Sequence, residues 1–194
     1  MLLLNKLKGV NSTLKKHRKR SGAFFTIEYA VVLAAVGLGV GYMLSTQGDT
    51  NEATLVNNAK ADILQAVEKT RKTNGSFDDY GSFNNTDCYD KSIFPSSWLS
   101  GTQDEFTTPF ADDGLTCGSA DAATNKAGIT TTGTGKFFTF AFTNVETPQC
   151  NNLVGALFEQ IIEIQVEGTR IDGNTTMKTQ CASANEVTIT LIHR

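Results

Sequence analysis

Residues 24–44 read FFTIEYAVVLAAVGLGVGYML, 21 positions with one charge among them, Glu28. As a helix rising about 1.5 Å per residue, this run reaches about 31 Å, the thickness of a bilayer's hydrocarbon core. It is also longer than the apolar centre of a secretory signal, which spans about 7–15 residues. A chain with such a segment is expected to be divided by it. One part stays on the inner side of a membrane, and the other folds outside.

The charges agree with that division. Lys6, Lys8, Lys15, Lys16, Arg18, Lys19 and Arg20 precede the run with no acid among them. They leave 10 basic and 20 acidic side chains for the rest of the chain, a balance of −10 hidden inside the overall −3. Cations on the N-terminal flank hold that end in the cytoplasm and direct the C-terminal body outward. A nucleic-acid reader would keep its cations on the folded part, so no nucleic-acid partner is expected. Cys88, Cys117, Cys150 and Cys181 all follow the run, and none forms a CxxC pair. That placement fits disulfides in an oxidising compartment. Four cysteines allow three connectivities. We favour the un-nested one, Cys88–Cys117 and Cys150–Cys181, each loop contributing roughly 3–4 kcal/mol on the chain-entropy account.

Glu28 is the chemically informative residue. A carboxylate in a spanning helix costs several kcal/mol unless neutralised or paired, which makes it a functional hypothesis in itself. The segment offers it no cation, so its partner must come from another chain or from a new chain terminus. In this context the run Lys19-Arg20-Ser21-Gly22-Ala23-Phe24-Phe25-Thr26-Ile27-Glu28 resembles the processing site of type IV pilin precursors. The resemblance implies a basic leader removed by a dedicated prepilin peptidase, N-methylation of the new first residue, and a glutamate at mature position five. Cleavage after Ala23 makes Phe24 that first residue and sets Glu28 fifth. Cleavage after Gly22 restores the commoner glycine but moves Glu28 to sixth. The spacing to the carboxylate favours the former, and the 23-residue leader resembles the type IVb branch. The family further implies that Glu28 pairs with the methylated amine of a neighbouring subunit's Phe24. Such a buried pair fixes register more than it adds stability. Gly37 and Gly41 form a small-xxx-small pair suited to close helix contact in lipid. With Gly39 they also make local loss of helix cheap. Ser45 stands where many relatives carry a kinking proline.

The expected organisation is therefore a leader at 1–23, a transmembrane and assembly helix at 24–45, an amphipathic helix at 46–75 and a head at 76–194. Asp49 and Glu52 have the form of a capping box. Val56, Ala59, Ile63, Ala66, Val67 and Thr70 recur at helical spacing, and Asn74-Gly75 supplies a stop. Residues 76–135 are rich in Gly, Ser, Thr, Asn and Asp, and read as loops and short elements pinned to the core by Phe83, Tyr89, Phe94, Trp98 and Phe106. Residues 136–143 read as a strand. Thr147 reads as a helix cap before Pro148, with Leu153 and Leu157 buried. Residues 161–166 and 186–192 read as two further strands, with a turn at Asp172-Gly173-Asn174. The expected class is α+β, a long N-terminal helix on an antiparallel sheet with two disulfides, as in pilins.

No phosphate-cradling, dinucleotide, zinc-protease or nucleophile-elbow motif occurs, and the two histidines, His17 and His193, stand far apart. The pairs Asp78-Asp79, Asp104-Glu105 and Asp112-Asp113 lack calcium-loop spacing and read as solvated acid. No catalytic residue, metal or cofactor is expected. The resemblance implies a non-enzymatic subunit polymerising with itself, handled by prepilin peptidase and inner-membrane assembly machinery, and ending in an extracellular fibre for adhesion, aggregation or conjugal contact. A minor pilin or secretion pseudopilin is the near alternative. A membrane-anchored periplasmic binding protein or enzyme is the distant one.

Overall fold

The computed structural model describes residues 51–73 and 79–194. Residues 51–73, here α1, are helical throughout. The stripe at Val56, Ala59, Ile63, Ala66, Val67 and Thr70 is buried, while Gln65 and Glu68 are exposed. The 3.6-residue period thus selects one face for the core. Thr70 satisfies its buried hydroxyl on the Ala66 carbonyl at 2.9 Å.

The sheet has five strands: β1 (Leu115–Thr124), β2 (Thr130–Glu146), β3 (Glu163–Val166), β4 (Thr169–Arg170) and β5 (Glu186–His193). Their spatial order is β1-β2-β5-β3-β4, and every neighbouring pair is antiparallel. The C-terminal strand therefore occupies the centre. Alternation explains which face is covered. Phe138, Phe140 and Phe142 of β2, Val187, Ile189 and Leu191 of β5, and Ile164 and Val166 of β3 enter the same core as the α1 stripe. Each such large side chain contributes roughly 1.5–3 kcal/mol by burial.

The chain between α1 and β1 caps this core with rings. It includes α2 (Asn85–Asp90) and a 3-10 turn at Ser96–Trp98. Phe94 stacks on Trp98 with centroids 5.2 Å apart, and meets Phe140 edge-on at 4.9 Å. Phe83, Phe94, Trp98 and Phe106 are buried, and Tyr89 packs against them half-buried. Rings at these distances prefer such tilted or offset arrangements.

Among the described residues, a second and smaller buried cluster lies on the opposite sheet face. Phe137, adjacent to Phe138, points away from the main core and joins Ala123 and Ile192 in a small separate cluster. The β1–β2 hairpin reaches that side through a joint. Ala120 pairs with Phe137 and Ala122 with Thr132, so Asp121 alone stands opposite residues 133–136. The Asp121 carboxylate accepts the Gly135 N–H at 2.8 Å. Gly135 has φ +63°, and a Cβ there would sit 2.6 Å from the Gly81 backbone. Only glycine fits that crossing.

Several expectations are corrected. The stretch 76–135 contains a ten-residue strand, β1, which becomes one sheet edge. The strand expected at 136–143 is β2, extending from Thr130 to Glu146. The next helix, α3, covers Thr147–Leu157 and is capped by Glu146, not Thr147. Glu146 and Gln149 form a reciprocal capping box there, which places Thr147 inside the helix. Residues 172–174 do not turn one strand into the next. The hairpin turn is at Glu167–Gly168, both at positive φ, and residues 174–181 form a further helix, α4. Asp49 and Asn74-Gly75 lie outside the described residues.

Candidate functional site

Cys88 and Cys117 are joined, as are Cys150 and Cys181, the connectivity favoured above. The first bridge ties α2 to the edge strand β1. Asn85 supports the same junction, donating to the Asp104 carbonyl at 2.8 Å and accepting the Cys117 N–H at 2.6 Å. The second bridge joins the first turn of α3 to the last turn of α4. It closes a lobe of α3, β3, β4 and α4 on the sheet.

Among the described residues, two clefts flank that lobe. One, about 270 Å³, lies between α3 and α4 and is lined by Gly155, Phe158, Ile171, Gly173, Asn174 and Met177. At its rim the Asp172 carboxylate accepts the Thr176 hydroxyl, and that bond holds its pKa below the usual range. The other, about 420 Å³, is an open groove between the hairpin tip and the chain leaving α3. Lys126 of the tip pairs with Glu159 at 3.0 Å and lies 4.8 Å above the Phe158 ring. Neither lining combines a nucleophile with a histidine base.

His193 ends β5 beside Phe138, with ring centroids 5.9 Å apart. Burial lowers its pKa below 6.5. The Arg71 cation acts in the same direction, while the Arg194 and Gln160 backbones and Glu68 oppose. Among the described residues, no three His, Cys, Asp or Glu side chains are grouped to hold a metal. Of the acid pairs read as solvated, Asp79 accepts the Gly81 N–H at 3.3 Å and Asp104 the Thr86 hydroxyl at 2.8 Å, both exposed contacts.

The processing residues Gly22, Ala23 and Phe24, and the assembly residues Glu28, Gly37 and Gly41, lie outside the described residues. So does the expected span. No helix among the described residues is long and apolar enough to cross a membrane. Sequence reasoning did not single out Asn85, Lys126, Phe158 or Glu163. Glu163 carried a signal, as the acid in the otherwise apolar-alternating IIEIQV. The others become visible only when loops distant in sequence meet.

No family model matches this chain, and no curated protein matches it. Among solved structures it is similar to TcpA, a type IV pilin from the Vibrio cholerae El Tor biotype. The TM-score is 0.45 at 13% identity, over 74% of this chain and 99% of that one.

Proposed function

We propose that this chain is the precursor of a type IV pilin, a non-enzymatic subunit that polymerises through its N-terminal segment into a surface fibre. The observation that carries the reading is Glu28, set five residues into a 21-residue apolar run directly after a basic leader ending Ser-Gly-Ala. An isolated carboxylate there is costly unless a cation meets it. The Phe24 amine created by cleavage on an adjoining copy supplies one. Residues 1–23 act as leader, 24–45 as membrane anchor before assembly and packing helix afterwards, and the remainder as the exposed body. An amphipathic helix laid on an antiparallel sheet, with two disulfides in the same unit, supports the reading of the remainder as that body.

The decisive experiment substitutes Glu28→Ala in the producing cell. Processing and membrane insertion are expected to persist, while fibres in sheared surface material are lost. Normal fibre yield from the variant would overturn the assignment. Mass spectrometry of the native N-terminus is expected to show a methylated Phe24. An unprocessed Met1 would be incompatible with the reading.

A further inference from the structure

The geometry points to the β1–β2 hairpin tip, residues 122–134, as a hinged strap that opens separately from the body and uncovers an apolar patch. Three independent observations converge on it. The first is the joint. Ladder pairing is interrupted between Ala120 and Ala122, where Asp121 alone faces residues 133–136, a stretch carrying both Gly133 and Gly135. An interruption of this size bends the ribbon and ends the regular ladder there, while the Asp121 carboxylate on the Gly135 N–H and the Gly135 carbonyl on the Tyr80 N–H fix the body side of the joint as a pivot.

The second is what the tip covers. Ala123, Phe137 and Ile192 form a cluster separate from the main core, with Ala120 and Ile162 packed alongside. Phe137 is 1% exposed and Ile192 5% exposed while the strap is shut. Elsewhere this sheet face presents half-buried threonines and small residues, such as Thr139, Ala141 and Thr190. Lifting the strap changes the character of that end of the sheet from polar to aromatic and aliphatic.

The third is the latch. The Thr124 N–H donates to Oε2 of Glu163, a carboxylate only 7% exposed, whose Oε1 accepts from Gln165 at 2.6 Å. Arg170 donates to the Asn125 carbonyl at 3.3 Å, and Lys126 pairs with Glu159 at 3.0 Å. Most of these contacts are polar, and the outer ones are partly solvated. A segment held by few apolar contacts occupies the low end of the local-stability range. Closure of the strap keeps Phe137 and Ile192 out of solvent.

The test is hydrogen exchange with mass spectrometry on the full chain in detergent micelles, comparing the wild type with Glu163→Ala. Removing the acceptor is expected to speed amide exchange over 122–132 by about tenfold or more. Exchange over 138–142 and 187–192 should stay unchanged. Unmoved rates at the tip, or equal acceleration at tip and core, would overturn the strap. Should Glu163→Ala fail to fold, Lys126→Met removes the outer ion pair while keeping the stem over Phe158. It must give the same local pattern at smaller amplitude, and its absence there would equally overturn the proposal.

Discussion

The two disulfide-closed loops have almost the same span, with separations of 29 and 31 residues, but are built in opposite ways. The first, from Cys88 to Cys117, carries little regular structure and is ordered by rings: Phe94 on Trp98, with both directed at Phe142. The second, from Cys150 to Cys181, contains α3, β3, β4 and α4, and pairs directly with the central strand β5. Their closure entropies differ by less than about 0.1 kcal/mol. Any contrast in behaviour must therefore come from what fills the loops. The first bridge encloses irregular chain filled by stacked rings, and the second encloses helices and strands.

The largest expected effect tests whether rings or the bridge hold the first loop. Phe94→Ala, with both disulfides intact, is expected to cost about 3–5 kcal/mol in urea denaturation, as for other buried aromatic truncations. A cost near zero would mean that the bridge alone orders the loop. Next comes removal of each bridge. Cys88→Ala with Cys117→Ala, and Cys150→Ala with Cys181→Ala, are each expected to cost roughly 3 kcal/mol. The two variants should differ in the fluorescence of the folded state. Trp98, the single tryptophan, lies in the first loop, so only the first variant should shift its emission to the red. An identical red shift from both would erase the distinction between the loops.

The smallest effect lies where the second loop meets the C-terminus. The depressed pKa of His193 means that the folded state prefers the neutral ring. The unfolded chain binds the proton more readily, so the contribution is present above about pH 6.5 and is lost as pH falls toward the folded-state value. Thermal midpoints at pH 7.5 and 5.5 are expected to drop further in the wild type than in His193→Gln. Equal drops would assign the acid sensitivity to carboxylates elsewhere.

Legibility followed local chemistry. The α1 stripe was readable because Ala59, Ile63 and Ala66 repeat with helical period, and the C-terminal half of β2 because its phenylalanines alternate. β1 was not, since LTCGSADAAT has little intrinsic strand preference and is a strand because β2 offers it a ladder. Tertiary pairing overrode propensity there. α4, reading NTTMKTQC, is likewise poor in helix formers and is tied down by Cys181. The processing and assembly residues were legible only through resemblance and chemistry, since a lone acid in an apolar run needs no fold to stand out. The Lys126–Glu159 pair spans 33 positions, and no local pattern announces it.

Phe137 and Phe138 are consecutive, fully enclosed, and directed to opposite sides of the same ribbon. Sliding β2 by a single position against β5 would turn Phe138, Phe140 and Phe142 outward together while forcing Phe137 inward. A one-position slip is thus penalised on both faces at once, and the aromatic doublet acts as an indexing pin for the β2–β5 pairing.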